Sequence, residues 1–344
     1  MNAIAQRLDR AAYKTQQWSI FGGLLLFQET ARRLLGKKPP AVNAEVLREV
    51  QRRYMALLDR DLDNVAQGLY PRELLFQIPT AHYARQLPKL LLDAPRIRKR
   101  MQAGDYRDLP EDAVPRNYPP YYRRTFHWQS DGYLSDHSAE LYDVGVEFLF
   151  RGTADIMRRQ VIPPVSRFVA GSDPRSLRLI DVACGTGRTL LQMATAHPRL
   201  RYVGVDLSPY YVRAARQLLR DVEDLSLVAE NAESLPFSDG YADIVTSVYM
   251  FHEMPINARR NALAEMYRVL RPGGLLVLED SAQLSDSGFL EGVLRAFPQD
   301  FHEPFYDNYL ENCLTELTRG AGFQIESSEV HLVSKVVVAR KPAH

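Results

Sequence analysis

The sequence predicts an α/β fold, a largely parallel sheet covered on both faces by helices and preceded by a mostly helical region. Three observations carry this. Beyond residues 160 to 175, short runs rich in Val, Ile and Leu alternate with amphipathic segments of helical period. The run Leu179-Ile-Asp-Val-Ala-Cys-Gly-Thr-Gly-Arg188 passes from an apolar strand through a Gly-x-Gly turn straight into a helix start. Before residue 105, apolar residues recur at spacings of three and four, as in Val46, Val50, Tyr54, Leu57 and Leu58.

Composition sets the bounds. A chain of 344 residues, 46% hydrophobic and 25% charged, fits roughly two domains and a large core. A net charge of +1 gives no global attraction to nucleic acid or to an anionic membrane. The basic clusters Arg96–Arg100 and Arg123–Arg124 read as solvated faces. Cys184 and Cys313 make neither a disulfide framework nor a metal pattern, which fits a reducing cytoplasm. No secretory signal is evident. The apolar stretch from Trp18 to Phe27 is too short to span a bilayer. It is expected to pack within the protein, with peripheral contact at a membrane surface as the alternative.

The elements follow in order. Helices are expected over Ala44–Leu62 and Ala81–Leu92, with a break at Lys37-Lys-Pro-Pro40 before them. Prolines at 110, 115, 119 and 120 argue for an extended connector. Strands are expected at Leu177–Val182, Arg201–Asp206, Leu225–Glu230, Ala242–Phe251 and Gly274–Asp280. Helices Thr189–Ala196, Pro209–Arg220, Asn257–Leu270 and Tyr309–Arg319 interleave with or follow them. Gly320 and Gly322 supply a stop, and Phe323–Glu329 with Leu332–Arg340 pair as a terminal hairpin. The division is a helical domain over residues 1–105, a connector and lid over 106–165, and an α/β domain over 166–344.

The glycine turn carries the chemistry. Gly185 and Gly187 lack a Cβ, so backbone there can approach a ligand closely. Asp206 closes the next apolar run, Tyr202-Val-Gly-Val-Asp206, where its carboxylate can accept both hydroxyls of a ribose. A Gly-x-Gly turn alone is weak evidence; followed at this distance by a strand-terminal acid it is strong.

This segment resembles motif I of the class I S-adenosylmethionine (SAM) methyltransferases. The dehydrogenase fingerprint fits less well, because Leu190 stands where its third glycine belongs. The resemblance implies a seven-stranded Rossmann-like sheet whose last strand is antiparallel, with SAM as cofactor. It implies that Asp181 faces the methionine ammonium, and that Asp206 and the adjacent Leu207 contact the nucleoside. Ala183 departs from the pattern, standing where the family usually has its first glycine. The loop Ala229–Phe237 is similar to the family's adenine-binding segment, with Asn231 in place of the usual Asp and Ala232 offering its N–H. The first 120 residues match no recognised family.

Further candidates come from position. In open α/β sheets ligands sit outside the carboxyl ends of the strands, which places Tyr249, His252 and Glu253 near the methyl donor. His252 is the expected general base, its ordinary pKa being near neutrality; Glu253 is expected to face substrate or brace the next helix. The segment 125–143 is dense in aromatic and polar residues. Trp128, Tyr133, His137 and Tyr142 are expected to form a lid over the acceptor, or an aromatic hinge between domains. Two features are read as decoys: Asn117-Tyr-Pro-Pro-Tyr121 as a turn, and Glu279-Asp280 as structural or substrate-facing acids. No metal site and no nucleic-acid partner are expected.

The functional expectation is methylation of a small hydrophobic or aromatic acceptor at oxygen or activated carbon. The alternatives are a non-catalytic methyltransferase-like assembly module and a nicotinamide-dependent dehydrogenase.

Overall fold

The structure, a computed structural model, describes residues 3–34, 43–111 and 118–343. The expected break at Lys37–Pro40, together with Pro115 and Asn117, lies outside the described residues. Seven strands form one sheet: β1 (Arg178–Val182), β2 (Arg201–Asp206), β3 (Leu225–Ala229), β4 (Ala242–Val248), β5 (Leu270–Ser281), β6 (Gln324–His331) and β7 (Ser334–Arg340). Their order is β3-β2-β1-β4-β5-β7-β6. Pairings among β1 to β5 are parallel, and β7 runs antiparallel to both neighbours. The chain order reverses across β1, so the carboxyl ends of β1, β2 and β4 open onto one crevice.

The central strands are apolar on both sides because helices cover both faces. Leu179, Leu275, Val277, Val336 and Val338 feed one core, while Ile180, Val182, Leu276, Leu278, Val337 and Ala339 feed the other. The alternation is the two-residue period of a strand. The second core takes Ala262, Leu263 and Met266 from the helix Ile256–Val269. The first takes Tyr13, Tyr54, Leu57, Leu58, Leu74 and Leu75 from the N-terminal helices. The helical region therefore packs on the sheet in a shared core.

A buried polar knot fastens that join. The Asp61 carboxylate accepts from Arg159 Nη2 at 2.6 Å and Nε at 3.1 Å, and from the hydroxyls of Tyr13 and Tyr70. These groups sit on the helices Ala3–Leu34 and Ala44–Ala66, on the loop after the latter, and next to the helix Ile162–Val169.

Five expectations need correction. The Tyr309–Arg319 helix is two, Tyr306–Glu311 and Leu314–Gly320. Buried Gln283 fills the gap, donating to the carbonyls of Tyr309 and Asn312 and accepting from Leu314 N–H. β4 stops at Val248, because Tyr249 turns into the left-handed region at φ 58°. β5 begins at Leu270, which pairs with Ala242 ahead of a register shift. The expected Ala81–Leu92 helix extends over Thr80–Ala103 and ends on left-handed Gly104. Arg100, assigned to a solvated face, is buried and donates to Trp128 O and Ser130 Oγ. The Trp18–Phe27 stretch lies within the helix Ala3–Leu34, with Trp18 and Phe27 at the edge of exposure. Among the described residues no helix is long and apolar enough to cross a membrane.

Candidate active site

The turn after β1 is shaped by unusual backbone. Ala183, Gly185 and Gly187 all have positive φ, at 60°, 56° and 87°. Glycine adopts this conformation freely, whereas a side chain there costs on the order of 1–2 kcal/mol. Ala183 thus carries strain that the family's usual glycine would not. A Cβ on Gly185 would meet open space, which is the shape of a cradle. A Cβ on Gly187 would lie 2.8 Å from Leu219 Cδ1, so helix packing demands a glycine here, and the residue does not line the cavity described below.

Asp206 locks the turn in place. Its Oδ2 accepts from Gly185 N–H at 2.9 Å and its Oδ1 from Ser208 N–H at 2.8 Å. Burial pushes its carboxyl up to about 6, against the pull of those two N–H groups. Asn231 Oδ1 closes its own loop by accepting from Glu233 N–H at 2.9 Å, leaving the amide NH2 to donate.

One cavity collects most of the expected cofactor set: Ala183, Gly185, Asp206, Leu207, Asn231, Ala232 and Tyr249. Its other wall is aromatic. Tyr121, Tyr122, Phe126, Tyr133 and Tyr142 come from the segment before the sheet, and Tyr211 from the helix Pro209–Leu218. Tyr133 is clamped there: its hydroxyl donates to Glu253 Oε1, and its carbonyl accepts from Ser208 Oγ at 2.6 Å. Gln129 ties the segment down further through Gly132 O, Ser138 Oγ and Tyr211 Oη.

Several expected residues stand elsewhere. Asp181 does not line the cavity. It is buried between β1 and β4, accepting from Thr246 Oγ1 at 2.6 Å, and burial pushes its carboxyl up to about 7. His252 does not line it either. Its ring is buried, with Nδ1 2.7 Å from Asp280 Oδ1. Burial opposes charging this ring, but the Asp280 carboxylate outweighs burial and raises its pKa above the ordinary value. Glu253, the neighbour given the lesser role, is the one on the wall. Trp128 packs against His302 with ring centroids 4.8 Å apart, and His137 also lies off the cavity.

Some lining residues were not anticipated. Tyr121 belongs to the stretch dismissed as a turn. Turn it is, with Tyr122 N–H bonded to Pro119 O, yet it delivers Tyr121 to the cavity, with Tyr122 next in the chain beside it, and Tyr121 Oη donates to Glu233 at 2.7 Å. Glu230, at the end of β3, lines it too, its N–H held by Asp206 O at 3.0 Å. The strand-end position of that acid, beside Asn231, was the signal available. Of the two decoy acids, Asp280 orients His252 and caps Phe251 N–H, while Glu279 is fully buried, its carboxyl pushed well up by burial.

Residues present and cofactor chemistry agree. The open cradle at Gly185, the strand-end carboxylate and the free Asn231 amide suit a nucleoside. The aromatic wall suits a sulfonium, since a cation is attracted to ring faces.

Comparisons with known proteins follow the same line. Residues 180–278 match the methyltransferase domain family. The ubiquinone/menaquinone biosynthesis C-methyltransferase UbiE of Syntrophotalea carbinolica is 39% identical over 166 residues, covering 48% of this chain and 66% of that protein. An O-methyltransferase of Aspergillus nomiae is 33% identical over 112 residues, covering 32% and 48%. The chain thus spans slightly under two thirds of the first relative's length and about half of the second's. Among solved structures, the CurJ carbon methyltransferase aligns at 19% identity and a TM-score of 0.46, covering 60% of this chain and 59% of that one. The segment built around residues 180–278 belongs to the class I methyltransferases, a family whose cofactor is S-adenosylmethionine.

Proposed function

We propose that the chain transfers a methyl group from SAM to a small, hydrophobic, aromatic acceptor at oxygen or activated carbon. The observation that carries this is the shared cavity: the glycine turn, Asp206 and Asn231 on one side, six aromatic rings and Glu253 on the other. SAM bound there would supply a methyl group already activated by its sulfonium leaving group. The protein's part is then mainly to align donor and acceptor, and alignment of this kind is worth roughly 7–11 kcal/mol.

Each residue has a task. Gly185 and Ala183 let backbone approach the cofactor, Asp206 accepts the ribose hydroxyls, and Asn231 and Ala232 donate to the adenine edge. Asp181 braces the two strands beneath the turn. Tyr121, Tyr122, Phe126, Tyr133 and Tyr142 form the lid, exclude water and offer flat faces to a planar acceptor. Glu253 is the carboxylate that an acceptor hydroxyl meets on the wall. His252, behind it, positions that corner. The relatives include both a C-methyltransferase of quinone biosynthesis and an O-methyltransferase, which agrees with a phenol- or quinol-like acceptor.

The test is conversion of SAM to S-adenosylhomocysteine in the presence of hydrophobic phenols, hydroquinones and polyketide-like enols. Turnover with a member of that panel, lost in Asp206→Ala, supports the reading. Cofactor binding without turnover on any of them points instead to a module that uses the fold for assembly.

A further inference from the structure

We propose that His127, His252, Glu253 and Glu303 form a binding site for a divalent first-row transition-metal ion at the edge of the aromatic cavity. Sequence spacing shows no such site, because the four come from three separate segments. His127 lies in the single helical turn Phe126–Trp128, His252 and Glu253 in the turn Phe251–Glu253 after β4, and Glu303 between the helices Glu291–Phe301 and Tyr306–Glu311. One ligand atom from each lies within 4.8 Å of all the others. Small side-chain rotations bring such a set onto the ~2.0–2.2 Å bonds that imidazole nitrogen and carboxylate oxygen make to zinc.

The polar atoms themselves point to a ligand. Glu303 is 1% exposed, and neither of its carboxylate oxygens has a hydrogen-bond partner. His127 Nδ1 is 3.2 Å from Glu303 Oε1 but not aligned as a donor, so it too is buried without a partner. Leaving such groups unmatched costs about 1–3 kcal/mol each, more when charged. An ion between them would satisfy all three atoms. Arg124, whose positive charge acts on Glu303, has its guanidinium over the Phe305 ring and donates to Tyr121 O.

The surroundings are arranged as a metal site's are. Asp280 holds His252 by Nδ1, which leaves Nε2 as the free nitrogen, 3.9 Å from Glu253 Oε1. Asp280 is itself fixed by the N–H groups of Phe251 and Ser281, both at 2.7 Å. A carboxylate orienting a ligating imidazole through its far nitrogen is the usual outer shell of such centres. Tyr133 Oη does the same for Glu253. His127 and Trp128 hold positive φ, 55° and 57°, strained backbone that aims the His127 ring into the cluster. Two imidazoles with two carboxylates favour zinc, iron or manganese over an all-oxygen ion such as magnesium. The competing arrangement is metal-free, with the His127 ring between Glu253 and Glu303, its two nitrogens 3.2 Å from their carboxylate oxygens.

Untagged full-length protein, stripped with a chelator and dialysed, should be titrated with zinc chloride by calorimetry, with magnesium chloride as the comparison. Cobalt chloride should be followed in parallel by its visible absorption. The site predicts uptake of a single zinc ion per chain, little uptake of magnesium, and cobalt bands of low-symmetry nitrogen–oxygen ligation. Glu303→Gln and His127→Gln, which keep side-chain size, should abolish tight uptake while retaining the wild-type circular dichroism. Asp280→Asn should weaken uptake by about 10–100-fold. Zinc should also raise the melting temperature of wild type and leave that of Glu303→Gln unchanged, since an ion stabilises only a folded state that binds it. No uptake by wild type, or equal uptake by wild type and Glu303→Gln, overturns the proposal in favour of the metal-free arrangement. Neither result depends on methyl transfer.

Discussion

Two of the buried charge clusters among the described residues, those around Asp61 and Glu303, are built on opposite principles. Around Asp61, a carboxylate meets a guanidinium and two phenols, and its four bonds consume its acceptor capacity. Around Glu303, carboxylates outnumber the cations at hand, and buried oxygens and a ring nitrogen are left without partners. The first cluster joins the N-terminal helices to the sheet, where a closed network only has to hold. The second borders the cavity, where unsatisfied atoms are useful because something else can satisfy them. The Asp61 network is saturated and the Glu303 cluster is not.

Conservative amide substitutions separate the two. Asp61→Asn strands the Arg159 guanidinium in the core, so it should lower unfolding free energy by about 3–5 kcal/mol, read as a fall in the urea midpoint at unchanged slope. Glu253→Gln should instead leave stability and SAM affinity near wild type and cut turnover about 100-fold, the low end of what an acid–base partner contributes. A Glu253→Gln protein with full turnover would reduce the wall carboxylate to a brace.

Smaller effects sharpen the contrast. In metal-free protein, Glu303→Gln should change stability by under about 1 kcal/mol, and in the stabilising direction, since it removes a buried carboxylate that has no partner. A loss comparable to that of Asp61→Asn would show that the second cluster is closed after all. Ala183→Gly should stabilise by about 1 kcal/mol through release of left-handed strain, offset in part by the added freedom of the unfolded chain. Melting temperature reports both.

What was legible in the sequence follows the same division. The strands and the terminal hairpin were visible because both-face burial forces continuous Val, Ile and Leu, and Asp206 and the glycines were visible because their spacing is local. The mismatch at Ala183 was legible as well, and the structure gives it a cost in φ. His252 was misplaced by position alone: a strand end faces the crevice, but the φ of Tyr249 turns the chain so that Glu253 takes the wall. Asp181 went the same way, since strand alternation buries it against Thr246. The Glu303 cluster and the Asp61 knot depend on contacts between distant segments, which no periodicity encodes. The split of the Tyr309–Arg319 helix depends on one inserted glutamine from another loop.

The most direct test of the account is calorimetric titration of the purified chain with SAM, for wild type and Asp206→Ala, across pH 5 to 8. The cavity predicts saturable binding by wild type at a single site. It predicts weakening in the variant by about tenfold or more, because bonds to a charged acceptor are worth about 1.5–3 kcal/mol each. Burial holds the Asp206 carboxyl at about 6. Its charged, accepting form therefore dominates above that pH, and wild-type affinity should fall as pH drops through it, a limb the variant should lack. Wild-type protein that ignores SAM and binds NADH instead, or a folded Asp206→Ala that binds SAM with undiminished affinity and the same pH profile, would contradict it.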